Sequence, residues 1–214
     1  YLDRFGYYDI FLITADSGHI IYSVGKEVDF ATDIIQGPFR NTGISRVFSK
    51  VINSQDKNRV FLEDFSPYLP SYNAPSAFIA SAIHRENTRI GVLVFQLPID
   101  RINQVMTDGY DWENVGLGET GEAYLVGDDY LIRNQSRFLI EDPINYYQAW
   151  QNSGISNEVL TRIKALQSSI GLQAVTTSGT RAAISGRSGT EIFEDYRGVK
   201  VLSSYKPLKL DQVN

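Results

Sequence analysis

Tyr8-Asp9-Ile10-Phe11-Leu12-Ile13-Thr14, then Ala15-Asp16-Ser17-Gly18, then Ile20-Ile21-Tyr22-Ser23-Val24, is the stretch on which the fold turns. Its first part is rich in aromatic and β-branched side chains and reads as a buried strand. The turn formers Ala15 to Gly18 cut it off, and Ile20 to Val24 returns, so the sequence opens on a β-hairpin. Hairpins pair antiparallel, which points to α+β rather than to single strands alternating with helices.

Downstream, Asp29 to Phe39 reads as a loop or short helix stopped by Gly37-Pro38. Asn41 is placed to cap an amphipathic helix whose Ile44, Val47, Phe48, Val51 and Ile52 recur at helical spacing. Arg59 to Phe65 reads as a third strand, followed by a loop from Ser66 to Pro75 whose three prolines argue against regular structure. Ala77 to Ile83 and Arg89 to Phe95 form a second hairpin around Glu86-Asn87. Pro98 then suits a first helical turn, with Ile99, Ile102, Val105 and Met106 behind it.

The second half repeats this order. Glu122 to Val126 and Tyr130 to Asn134 read as a hairpin around Gly127-Asp128-Asp129. Asp142-Pro143 opens a helix through Trp150, and Ser156 caps another carrying Val159, Ile163, Leu166 and Ile170, ended by Gly171. Thr190 to Asp195 and Val199 to Tyr205 close on a hairpin around Arg197-Gly198. The expected architecture is α+β, two tandem PAS-like modules at 1–106 and 107–214, each an antiparallel sheet flanked by helices and loops. One continuous α+β domain with two accidental hairpin pairs is the competing arrangement.

Composition narrows the function classes. A chain of 214 residues can bury a core without staples, and the absence of cysteine removes disulfides, a thiolate nucleophile and cysteine-based zinc sites together. A net charge of −5 with no basic stripe argues against nucleic acid. The longest apolar stretch, Ile90 to Phe95, is far short of the ~20 residues a membrane span needs.

Catalytic signals are thin. His19 and His84 have no Glu or second His at ligand spacing, and Ser17, Ser71 and Ser185 sit in no Gly-x-Ser-x-Gly elbow. Gly116-Leu117-Gly118-Glu119-Thr120-Gly121 precedes a strand, whereas a dinucleotide fingerprint follows one and opens a helix. Neither a metal nor a cofactor is expected. Asp64-Phe65-Ser66-Pro67-Tyr68 places a carboxylate and a phenol where a strand breaks into a loop, a common setting for ligand contacts. The bland reading of Asp64 is a loop residue that bonds its own backbone. Lys26, Arg40 and Arg46 would add positive charge, although such side chains are more often solvated.

Several longer motifs carry a family resemblance. Tyr7 to Ile13, Val24-Gly25-Lys26-Glu27-Val28-Asp29-Phe30, Gly37-Pro38-Phe39, Asp64 to Tyr68 with Pro70-Ser71, and Phe95 to Ile102 resemble the membrane-distal module of double-Cache sensor domains. Gly116 to Gly127, followed by Ser136-Arg137-Phe138, resembles the start of the membrane-proximal module. The resemblance implies an extracytoplasmic, periplasmic sensor domain of a bacterial transmembrane receptor, not itself an enzyme, with its small polar ligand in the distal module. That ligand would be an amino acid, an amine or a carboxylate. Its candidate contacts are Tyr22, Lys26, Asp29, Arg40, Asp64, Tyr68, Ser71 and Tyr72.

The family's long N-terminal helix is expected to be missing from this stretch, and its last strand to be cut at Asp211-Gln212-Val213-Asn214. The family's Arg-x-Trp-Tyr amino-acid signature is missing too, since no Trp occurs before Trp112. A sensor histidine kinase is the expected receptor on family frequency, with chemoreceptors and nucleotide or diguanylate cyclases as alternatives. Homodimerisation of the full receptor is compatible with this reading, as is anchoring through segments outside this sequence. A periplasmic protein-interaction module without a small ligand is the rival from another class, and a hydrolase using Asp64 as base is the third.

Overall fold

A computed structural model describes residues 2–152 and 155–208 of the chain. They fall into two compact units, one reaching Arg101 and the other beginning at Ile102. Asp211 to Asn214, read above as a cut strand, lie outside the described residues.

In the first unit, α1 (Leu2–Phe5) leads into β1 (Asp9–Thr14) and β2 (Ile20–Ser23). Then come α2 (Gly43–Asn53), β3 (Val60–Tyr68), a 3-10 turn (Leu69–Ser71), β4 (Ala74–Arg85) and β5 (Thr88–Gln96). The strands form one antiparallel sheet in the order β2-β1-β5-β4-β3. In β1 the side chains of Asp9, Phe11 and Ile13 are buried in alternation, and β5 answers with Gln96, Val94 and Val92 opposite them. These residues share one sheet face because side chains alternate along a strand. The apolar part of that face is covered by α2, which buries Ile44, Val47, Phe48 and Val51. Each such side chain contributes about 1.5–3 kcal/mol.

Two local expectations are corrected here. The helix starts at Gly43 with Thr42, not Asn41, at the cap, and the Thr42 hydroxyl donates to the Phe39 carbonyl instead of capping. The Pro-rich segment is not all loop: β3 continues through Ser66-Pro67-Tyr68 and pairs with β4 as far as Ala74. An edge strand tolerates proline because its missing N–H falls on the unpaired side. The reversal is confined to the 3-10 turn and to Tyr72 and Asn73, whose φ values of 56° and 59° are left-handed.

Helix α3 (Ile99–Thr107) follows Pro98 as expected, but it buries Asn103 and Thr107 and exposes Val105. The polar pair is buried because Asn103 Oδ1 accepts from the Gln135 amide at 2.7 Å and Thr107 Oγ1 from the Tyr110 amide at 2.9 Å. The second unit continues with α4 (Arg137–Glu141), α5 (Pro143–Asn152), α6 (Asn157–Leu166), α7 (Ser178–Ile184), β6 (Gly189–Glu194) and β7 (Lys200–Tyr205). The closing hairpin stands as expected, and its two strands form the antiparallel sheet of this unit. Ser156 caps α6 by accepting from the Val159 amide. The helix ends at left-handed Gln167, so Ile170 is buried outside it rather than on its face. The Glu122 to Asn134 segment folds back on itself through one isolated bridge, Val126 to Ile132, instead of two regular strands.

Candidate functional site

At the end of the first unit's buried sheet face the apolar pattern turns polar. Asp9 and Gln96 are direct partners in the β1–β5 ladder and are buried, next in phase after Phe11 and Val94. Cross-strand partners on one face stand about 5 Å apart at Cβ, so the two side chains are neighbours. Asp9 Oδ1 accepts three amide hydrogens, from Ile10 at 2.6 Å, Val24 at 2.9 Å and Gly25 at 3.1 Å. The chain after β2 is thereby pinned over the end of the sheet, and Lys26 N donates to Ser23 Oγ at 2.7 Å.

That pinned segment delivers Glu27 and Asp29. Asp29 is wholly buried and accepts the hydroxyl hydrogen of Tyr68, also wholly buried, through Oδ2. Burial raises the Asp29 carboxyl above its ordinary value, the hydrogen bond from Tyr68 and an interaction with its own backbone amide oppose this, and the charges of Glu27 and Asp9 add to the rise. Burial and the same three carboxylates push the Tyr68 phenol well up. Glu27 joins the rim: Tyr8 donates to Oε1 at 3.1 Å and Ser71 to Oε2 at 3.0 Å. Gln96 Nε2 donates to Ser71 Oγ at 3.0 Å and to Ser76 Oγ at 2.9 Å. Among the described residues, three buried acceptors here have no hydrogen-bond partner: Asp9 Oδ2, Asp29 Oδ1 and Gln96 Oε1.

Of the residues expected to contact a ligand, the structure brings Asp29, Tyr68 and Ser71 together here. Tyr22 pairs with Leu12, out of phase with Asp9 and Phe11, and is half exposed. The Lys26 side chain is exposed, and Tyr72 is 86% exposed at the end of the 3-10 turn. Asp64 is exposed on β3 and accepts from the Phe65 amide at 2.7 Å, the backbone-bonded alternative weighed above. Arg40 lines a separate open groove of about 850 Å³ with Arg46, Lys50 and Arg59. In that groove Glu63 pairs with both Arg46 and Lys50.

The sequence reading missed Asp9, Glu27, Ser76 and Gln96. Asp9 and Gln96 had a signal, because each extends the buried phase of an apolar strand by one more position.

In the second unit the glycine loop has the opposite polarity to a phosphate cradle. The carbonyls of Gly118 and Gly121 accept from Nη1 of Arg137 at 2.8 and 2.6 Å, while its guanidinium lies 4.8 Å over the Trp112 ring. Glu122, raised by burial, accepts from Tyr196 at 2.5 Å and from the Arg137 amide at 2.8 Å. Among the described residues no three or more metal-binding side chains are grouped. No helix of the described residues is long and apolar enough to cross a membrane.

No family model matches the chain, and no curated protein matches it either. Among the solved structures that resemble it are two ligand-binding domains. One is the ligand-binding domain of the Pseudomonas aeruginosa PAO1 amino-acid chemoreceptor PctC in complex with GABA. It is 11% identical, with a TM-score of 0.47, over 92% of this chain and 65% of that one. The other is the ligand-binding domain of the Pseudomonas fluorescens chemoreceptor CtaA in complex with L-isoleucine. It is 17% identical, with a TM-score of 0.39, over 59% of this chain and 44% of that one. The chain therefore spans less than two thirds of either neighbour's length.

Proposed function

We propose that this chain is the extracytoplasmic sensor domain of a bacterial transmembrane receptor, non-catalytic in itself, and that its first unit binds a small polar ligand at the Asp9–Asp29–Gln96 cluster. The observation that carries the reading is the set of three buried, unpartnered oxygens at the end of an otherwise apolar sheet face. Leaving a buried acceptor unmet costs about 1–3 kcal/mol, so three together mark a place where partners arrive from outside the chain. The motif resemblance to double-Cache domains supports the same assignment, with 1–106 as distal and 107–214 as proximal module.

Ligand binding would favour one arrangement of the segments that close the cluster, the 24–29 loop and the 3-10 turn. It would bias the receptor by the difference in affinity between its two states. A histidine kinase is our first choice of output, with a chemoreceptor or cyclase fitting equally well.

Calorimetric titration of the domain with amino acids, amines and organic acids tests the reading. A saturable ligand whose affinity falls in Asp29→Asn supports it; silence across the panel overturns it. A second reading, docking of a periplasmic protein, is favoured by the exposed Val28, Leu69 and Tyr72 on the same two segments. A panel without binders, together with capture of one defined periplasmic protein that is lost in Tyr72→Ser, would support that alternative.

A further inference from the structure

The three open oxygens also specify what they lack. We infer that the ligand is an organic ammonium ion bearing no carboxylate, its nitrogen held by Asp9 Oδ2, Asp29 Oδ1 and Gln96 Oε1; this rests on the sensor reading above.

The donors of the cluster are already spent. Tyr68 gives its hydrogen to Asp29, Tyr8 and Ser71 give theirs to Glu27, and the Gln96 amide hydrogens go to Ser71 and Ser76. The amides of Ile10, Val24 and Gly25 converge on the other oxygen of Asp9. What remains is three acceptors, and a primary ammonium offers three N–H donors and no acceptor.

Charge points the same way. Asp9, Glu27 and Asp29 lie close enough for Asp29 to feel both others. Among the described residues no lysine or arginine forms an ion pair with any of them. Of the two cations expected to receive a carboxylate, Lys26 is exposed and Arg40 lines the other groove. A ligand carboxylate set among three acids would be repelled and left without a partner. A bound metal ion is the other way to satisfy oxygens, but among the described residues no three or more His, Cys, Asp or Glu side chains are grouped to hold one.

Gly25 lies over the free oxygen of Asp9. A Cβ there would stand 3.0 Å from Asp9 Oδ2, and the glycine itself is exposed. The missing side chain leaves room for a ligand atom against the free oxygen, which is itself closed to solvent until the 24–29 segment moves. Buried rings pack beside the Asp29 end of the cluster: Tyr68, which bonds Asp29, meets Phe78 edge-on at 5.1 Å between centroids and Phe39 at 6.4 Å. An amine with a short apolar tail suits that combination.

The test titrates the domain with matched trios that differ only at the two ends. They are isoamylamine, L-leucine and isocaproate; phenethylamine, L-phenylalanine and hydrocinnamate; n-propylamine, γ-aminobutyrate and butyrate. At least one amine is expected to bind at least tenfold tighter than its amino-acid and acid counterparts. Gly25→Ala and Asp9→Asn are each expected to weaken that amine at least tenfold, while Asp64→Asn leaves it unchanged. Asp9→Asn disturbs a carboxylate that pins backbone, so the glycine variant, with an unaltered circular-dichroism melt, decides the location. Tighter binding of an amino acid or acid would sink the ammonium assignment and leave sensing intact. An amine that binds equally to Gly25→Ala would overturn the placement. Silence of all nine compounds would remove the sensor reading together with this one.

Discussion

The hydroxyl of Tyr68 donates to a carboxylate oxygen of Asp29, and both side chains are wholly buried in the first unit. The pair ties the end of β3 to the loop after β2, so the two segments that close the polar cluster are fastened to each other from inside.

Burial holds the Asp29 carboxyl above its ordinary 3.8. A carboxyl raised by folding binds its proton more tightly in the folded chain. Its contribution to stability is therefore complete below 3.8 and declines as pH rises through the folded-state value. Asp29→Asn keeps an acceptor for Tyr68 and removes the titration. Its melting temperature should match that of the parent chain in acid and exceed it at neutral pH. Equal melts at every pH, or a gap that widens towards acid, would contradict this.

Tyr68→Phe removes the side-chain donor from the buried Asp29 carboxylate. The expected cost is about 1–3 kcal/mol, read as a lower urea midpoint at constant slope. In an Asp29→Asn background the same change should cost less, because a neutral amide loses less on desolvation than a carboxylate. A double-mutant cycle gives the coupling directly, and a coupling near zero would mean that the contact does not act as a pair.

Much of this fold was readable because period-two and period-3.6 patterns survive in the chain. Phe11 and Ile13 announce a sheet face, and Ile44, Val47, Phe48 and Val51 announce the helix that covers it. The candidate site was readable only in part. Asp29, Tyr68 and Ser71 lie in motifs that attract notice, whereas Asp64 and Tyr22 stand on the wrong side of a strand or in solvent. Residue type near a loop does not say which way a side chain points; strand phase does, and phase selects Asp9 and Gln96. The edge strand hid for a related reason. Proline rules out central pairing but not an edge, so Ser66-Pro67-Tyr68 read as loop while being strand.

In the second unit, Arg137 is 3% exposed and holds the glycine loop by its carbonyls, with Nε 2.9 Å from Glu141 Oε2 although off the hydrogen-bond direction. Arg137→Met should fill similar space while stranding the Gly118 and Gly121 carbonyls, at about 2–3 kcal/mol or more. Arg137→Lys should recover only part of this, since a single ammonium cannot reproduce the planar fork or its stacking on Trp112. Full recovery by lysine would show that charge alone, not geometry, holds the loop.

Ser71 is the hinge between cluster and surface. Its hydroxyl donates to Glu27 and accepts from Gln96, so it joins the 3-10 turn both to the 24–29 segment and to the floor of the sheet. Ser71→Ala cuts both links and leaves the turn held by its own backbone bonds, Tyr72 N to Leu69 O and Asn73 N to Tyr68 O, each 3.0 Å. Local opening is governed by the few contacts that must break, so these two amides should exchange with deuterium faster in the variant. Amides of β1 and β5, whose ladder does not pass through Ser71, should keep their rates. If the turn carries the ligand-dependent motion, a bound ligand should slow the Tyr72 and Asn73 amides in the parent chain and do so less in Ser71→Ala. Equal slowing in both would place the moving element elsewhere in the first unit.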